Sequence, residues 1–356
     1  MNQLMKKQEL QGVKEIARRA NVAIATVDRV IHNRTGVSEK TREKINKIIA
    51  ELNYQPNLLA SRLASGKIIT LAVLIPSVTE ETDFWEAPLR GIQRAETEIR
   101  QYGIKVNLFF FDLREPASFV TQANRILELA VDGIVVAPSF VDEAQSFAVA
   151  CQAIGTPYVF IDSNLPDQPS LSYIGPPLFQ SGYLAGKLCT YRLRENSKLL
   201  VVNIATALDS YTYVQIEEGF RTYFRDHDQT YPIIRADIQQ TDSVSITRHL
   251  QQQFNTNPTI DAVFVSNSRA FSVARFLEST QLDRKPLLIG YDFVSENTRY
   301  LATGIIDFLI CHQPEDQGYR SIMALYQFLV FSTPVTKDYY MPIDIVTREN
   351  QAFYRN

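Results

Sequence analysis

From Ile68 onward the chain repeats one pattern: an apolar run of strand length followed by a stretch whose apolar residues recur at helical spacing. Candidate strands are Thr70 to Ile75, Val106 to Phe111, Gly133 to Ala137, Tyr158 to Ile161, Leu199 to Ile204, Ile233 to Ala236, Ala262 to Val265 and Leu287 to Ile289, each followed by a plausible helix. Runs that are apolar throughout mark strands covered on both faces, as in a largely parallel sheet flanked by helices. That many strands overfill one open sheet, so an α/β fold of two lobes with a cleft is predicted, with ligands outside the carboxyl ends of the strands.

Charge is uneven along the chain. Residues 1–67 hold 13 basic and 6 acidic residues, net +7, whereas residues 68–356 hold 23 basic and 33 acidic, net −10. A small basic module on a large acidic one points to a polyanion partner for the first part only. Cys151, Cys189 and Cys311 lie far apart with no CxxC pair, so neither a disulfide framework nor a zinc site is expected. No apolar segment follows the first lysines, and no run nears the ~20 residues a membrane span needs. The expected location is cytoplasmic and nucleoid-associated, with no membrane partner.

Within the basic module, Lys14 to Ala20 reads as a helix with Val13, Ile16, Ala17 and Ala20 on one face. After a break at Asn21-Val22, Ala23 to Ile31 turns Val27, Val30 and Ile31 inward and Ile24, Ala25, Asp28 and Arg29 outward. Asn33 to Gly36 interrupts, Ser38 reads as an N-cap, and Thr41 to Leu52 forms a third helix. This is a helix-turn-helix pattern, although a plain three-helix bundle satisfies the same spacing.

The run from Gly12 to Lys67 resembles the N-terminal segment of the lac/gal repressor family, through Ala20-Asn21-Val22, Thr26-Val27, Arg29-Val30, Val37-Ser38, Leu52-Asn53-Tyr54 and Pro56-Asn57. The resemblance implies a second helix that enters the major groove of an operator, with Ile24, Ala25 and Arg29 at base-reading positions. Thr26, Asp28, Asn33 and Arg34 complete its DNA-facing set. Arg29 suits a bidentate contact to guanine, and Ile24 and Ala25 offer apolar contact to thymine methyls. Ala23 and Asp28 stand where the family commonly has serine; Asp28 would repel phosphate unless it reads cytosine or pairs with Arg29 or Lys14. Asn57, Ala60, Leu63 and Ala64 match the hinge helix of that family, with Leu63 at the wedge position in the minor groove.

Beyond Ile68 the chain resembles the type I periplasmic-binding-protein fold that these repressors share with sugar-binding proteins. The residues carrying this are Phe84-Trp85 with Gly91, Asp132-Gly133-Ile134, Phe160-Ile161-Asp162, Ile174-Gly175, Glu218-Gly219-Phe220, Ile289-Gly290-Tyr291-Asp292 and His312-Gln313-Pro314. The implied organisation is a DNA-binding domain over 1–55, a hinge helix and linker over 56–67, and an effector domain over 68–356. The first lobe takes about 68–175 and 313–341, the second about 176–312 and 342–356, with hinges near Gly175, His312 and Met341.

The ligand candidates at strand ends are Thr82, Ser139, Asp162, Asn164, Asn267, Asp292 and His312, with Phe84 and Trp85 for stacking on a sugar face. Each has a plainer alternative: Asp162 or Asp292 as a helix cap, His312 as a hinge hydrogen-bond partner, Trp85 as core. Ile216 and Ser163 stand where some sugar-binding relatives carry arginine, and Tyr211 and Tyr213 are expected to line the far lobe. No Walker loop, GxSxG elbow or HExxH motif is present. No catalytic residue, metal or cofactor is therefore expected. The function that follows is a dimeric or higher homo-oligomeric regulator, a repressor by family, bound to a pseudo-palindromic double-stranded DNA operator and controlled by a small carbohydrate or polyol. The alternatives are a carbohydrate-binding protein without DNA affinity and a carbohydrate-processing enzyme.

Overall fold

A computed structural model describes residues 12–31, 34–54, 68–79, 83–206 and 210–356. They form two compact units, the first built on residues up to Ile68, the second on Ile69–Ile99 and Ile104–Asn356. Asn33, Asn57, Ala60, Leu63, Ala64 and Thr82 lie outside the described residues.

In the first unit, helices α1 (residues 12–20), α2 (Ile24–Ile31) and α3 (Glu39–Glu51) enclose Ile16, Ala17, Ala20, Val27, Val30, Ile45 and Ile48. α1 stops at Asn21, which takes the left-handed conformation at φ 57° that ends helices without glycine. The freed carbonyl of Ala20 accepts from Lys44 Nζ at 2.8 Å, tying α3 to the turn. Ser38 caps α3 through Thr41 N at 3.3 Å, as expected, although the helix begins at Glu39 rather than Thr41. α2 begins at Ile24, and Ala23 contributes only its carbonyl, to Thr26 N at 2.9 Å.

The second unit holds two six-stranded sheets. Strands β1 (Ile69–Pro76), β2 (Ile104–Phe111), β3 (Gly133–Val136), β4 (Tyr158–Ile161) and β5 (Ser172–Gly175) lie in one, and β6 (Lys198–Ile204), β7 (Ile233–Ile238), β8 (Ile260–Val265), β9 (Leu287–Tyr291) and β10 (Phe308–Cys311) in the other. β11 (Asp338–Tyr340) closes the first sheet and β12 (Asp344–Val346) the second. The orders are β11-β5-β4-β3-β1-β2 and β12-β10-β9-β8-β6-β7, one topology used twice. Every pairing is parallel except β10 with β12. The chain passes between lobes after β5, β10 and β11.

The eight expected strands all form; β5, β10, β11 and β12, of three or four residues, were not anticipated. One expected helix is absent. β4 is followed by a loop that returns directly to β5, because Pro166 and Pro169 interrupt it and Asp162 and Asp167 hold left-handed φ of 68° and 65°.

Helices α4 (Glu86–Ile99), α5 (Pro116–Leu127), α6 (Val141–Ala153), α7 (Leu178–Cys189), α8 (Tyr211–Asp226), α9 (Ser243–Thr256), α10 (Ala270–Ser279), α11 (Ser295–Ala302) and α12 (Pro314–Phe331) cover the sheets. Two pairs cross at glycine. A Cβ on Gly91 of α4 would stand 1.8 Å from Glu315 O of α12, and one on Gly182 of α7 would stand 1.9 Å from Ile216 O of α8. Gly318 and Gly219 repeat the approach from the partner helices. Among the described residues no helix is long and apolar enough to cross a membrane.

Candidate ligand cleft and recognition helix

β4 and β9 occupy the same place in their sheets, and each hands its chain to an aspartate. Asp162 and Asp292 have φ of 68° and 69° and donate their backbone N–H to Ile174 O at 3.2 Å and Ile310 O at 2.9 Å, on the neighbouring strand in each lobe. A left-handed residue at a strand end turns its side chain out of the pleat, and aspartate tolerates that conformation better than most. Both line one cavity of about 180 Å³ that takes residues from the two lobes. Among the described residues neither carboxylate accepts a hydrogen bond from the protein. Desolvation raises the Asp162 pKa to about 7; desolvation, then the charge of Asp162, raises that of Asp292 well above the carboxylate range.

Phe84, Trp85, Ser139, Asn267 and His312 also line this cavity, so of the described candidates only Asn164 is not brought to it. Trp85 is 5% exposed and meets Phe84 edge to face with centroids 5.3 Å apart. It serves as core and cavity wall at once. Asn267 is largely spent on the protein: its Nδ2 donates to Ile204 O at 2.7 Å and Tyr213 OH at 3.1 Å, and its Oδ1 accepts from Arg269 N at 3.2 Å. His312 lies within hydrogen-bond distance of Ser181 Oγ at 2.8 Å, Tyr291 OH donates to the same oxygen at 2.8 Å, and the rings stack at 5.5 Å. Desolvation lowers the His312 pKa to about 3, so it is a neutral hinge residue at ordinary pH. Tyr213 lines the cavity as expected; Tyr211, two residues earlier on α8, does not.

Among the described residues, hydrogen bonds join the lobes around the cleft. Thr206 Oγ1 donates to Leu113 O at 2.9 Å, Thr212 Oγ1 to Ser163 Oγ at 2.8 Å, and Ser295 N to Asp83 Oδ2 at 3.1 Å. Sequence reasoning missed these contacts, because hydroxyl pairs across a cleft leave no spacing signal. At the hinge, Gln313 takes φ 50° and donates from Nε2 to Asp344 Oδ2 at 2.8 Å.

In the first unit, Ile24, Ala25 and Arg29 face solvent on α2, with Thr26 and Asp28 partly covered. Asp28 pairs with Arg34, at 3.2 Å, rather than with the expected Arg29 or Lys14. The reason is the turn at Gly36 (φ 92°), which folds residues 34–38 back toward α2; Arg42 Nη2 fastens it by donating to Arg34 O at 3.0 Å.

Comparison with known proteins matches both halves. The model for bacterial regulatory proteins of the lacI family covers residues 12–57, and that for a periplasmic binding protein domain covers residues 72–332. A solved structure titled as a putative LacI transcriptional regulator from Bacteroides fragilis superposes with TM-score 0.75 and 30% identity, over 81% of this chain and 100% of that one. The chain belongs to the lacI family. A second lacI-family relative, catabolite control protein A of Staphylococcus xylosus, is 34% identical over 121 residues, 34% of this chain and 35% of that protein. The match thus spans about a third of the length of the curated relatives. Outside the lacI family, a glucose-galactose binding protein from Geobacillus stearothermophilus shares the fold of the second unit, with TM-score 0.70 and 19% identity over 80% of this chain and 99% of that one.

Proposed function

We propose that this chain is a sequence-specific transcriptional regulator, a repressor, that works in the cytoplasm as a homodimer whose operator affinity is set by a neutral sugar or polyol in the interlobe cleft. One observation carries the reading: Asp162 and Asp292, whose carboxyl groups accept no hydrogen bond among the described residues, line one cavity from opposite lobes. A carboxyl group accepts through either oxygen and, where burial keeps it protonated, also donates, so the ligand the pair completes is rich in hydroxyls, which do both. A cavity of about 180 Å³ is smaller than the few hundred cubic ångström that drug-sized ligands occupy, which fits a single sugar ring.

A ligand bonded to both walls favours the closed lobes by its differential affinity for them, and that population shift is the signal. DNA contact falls to Ile24, Ala25, Thr26, Asp28, Arg29 and Arg34, with Asn33, Asn57, Ala60, Leu63 and Ala64 assigned by family resemblance. One monomer's base contacts are too few for specificity, hence the dimer and the pseudo-palindromic operator.

The test is selection of sheared genomic fragments on the purified protein at ~150 mM salt, where nonspecific binding is weak, with and without a panel of neutral sugars. The expected result is an enriched palindrome whose recovery changes with one sugar. Asp292→Ala abolishes that change and leaves recovery otherwise intact. No enrichment in any condition refutes the regulator, and an unaltered sugar response in Asp292→Ala refutes the site.

A further inference from the structure

The cleft is chemically lopsided. Toward the hinge its lining is Pro176, Leu178, Ile216, Tyr291 and His312. The last two are polar, but Tyr291 OH and His312 Nε2 are both spent on Ser181 Oγ, so apart from His312 Nδ1 they offer the cavity ring surface. Leu178, Ile216 and Tyr291 belong to one packed cluster, with Ile216 2% and Leu178 6% exposed. This wall cannot yield, because the backbone of Ile216 is pressed on Gly182 of α7. The free carboxyl groups border this wall: Tyr173 OH lies within hydrogen-bond distance of both Asp162 O and Pro176 O, and Asp292 directly follows Tyr291.

A hydroxymethyl group against Leu178 and Ile216 would lose its water and find no partner on those two side chains, whereas a methyl group gains by burial. We propose that the effector is a 6-deoxyhexose, whose methyl group packs on Leu178 and Ile216 while its ring hydroxyls hydrogen-bond to Asp162 and Asp292. This rests on the sugar reading of the cleft and specifies which end of the sugar faces which wall.

The experiment titrates the full chain with matched pairs, each a hexose and its 6-deoxy counterpart, of the galacto, manno and gluco series in both enantiomers. The readout is the fluorescence of Trp85, the single tryptophan and a cavity residue. In the pair that binds, the 6-deoxy sugar is expected to bind roughly 10- to 100-fold more tightly, the range by which an apolar pocket rejects an added hydroxyl. Ile216→Ser and Leu178→Ser supply a hydroxyl and should each cut that preference to a few-fold, mostly by improving the hexose, in protein whose thermal unfolding remains cooperative. A hexose that binds wild type as tightly as its 6-deoxy partner overturns the inference and leaves the sugar reading standing. A preference undiminished in both folded variants overturns the assignment of the apolar wall. Binding of none of the sugars overturns the sugar reading and this inference with it.

Discussion

Thr212 Oγ1 donates to Ser163 Oγ at 2.8 Å, joining the first turn of α8 in one lobe to the loop after β4 in the other. The bond spans the two lobes, so separating them would break it. Thr212→Val keeps the shape and removes the donor, and Ser163→Ala removes the acceptor. Each should weaken effector affinity about 2- to 10-fold, the value of one net hydrogen bond, and the double variant should lose no more than either single one. Additive losses in titration would show that the two side chains act separately.

The pH dependence of stability follows from Asp162. Burial raises its native pKa to about 7, whereas the unfolded chain keeps about 3.9, so the native state holds an extra proton between those values. That contribution is present at low pH and is lost as pH rises toward and through 7. Asp162→Asn should therefore melt higher than wild type at pH 8, and the gap should close by about pH 4. A gap of the same size at both ends of thermal scans would mean that the carboxylate is ionised in both states.

His312 has the opposite sign. Its native pKa is lowered to about 3 against about 6.5 when unfolded, so protonation of the unfolded chain destabilises the protein as pH falls through that window. His312→Asn should flatten the acid limb of the melting profile between pH 6.5 and 4, whatever its melting temperature at pH 8. An acid limb as steep as that of wild type would place the sensitivity elsewhere.

At the helix crossings, Gly91→Ala and Gly219→Ala drive a Cβ into a backbone carbonyl, 1.8 Å from Glu315 O and 1.9 Å from Phe179 O. Each should cost about 3 kcal/mol or more, at or beyond the upper end for overpacking, and lower the melting temperature by roughly 6 °C or more. Gly155→Ala is the control, with φ 72° but nothing within 4 Å, and should cost only the ~1–2 kcal/mol of a left-handed alanine. Equal costs from calorimetry would refute the close-packing argument.

On the recognition helix, the exposed pair of Asp28 with Arg34 contributes little to stability. Asp28→Asn removes a negative charge from the DNA-facing side, so affinity for operator and for random DNA should rise together by a few-fold. A selective fall in operator affinity would mean that Asp28 reads a cytosine amino group.

Most of this architecture was legible because both-faces-apolar strands announce themselves: Leu71 to Ile75 and Leu199 to Val202 are buried without a break. β11 and β12 were hidden because three-residue edge strands such as Asp338–Tyr340 carry no apolar run. Of the site, the strand-end aspartates could be named from position. The internal commitment of Asn267 and His312 could not, since it depends on Tyr213, Ser181 and Tyr291, which are distant in sequence. The Asp28 partner was misjudged for a related reason: Arg34 lies beyond a break whose direction is set by Gly36 in a left-handed conformation.

The paired glycine crossings also limit how news of a ligand can travel. With α4 wedged on α12 and α7 on α8 at backbone contact, neither lobe has slack to absorb a push from within. A push from a bound molecule would therefore turn one block against the other about the short links at Pro176-Pro177, His312-Gln313 and Met341-Pro342. In the proposed regulator this unit would work as a clasp knife: stiff in both halves, informative in its angle.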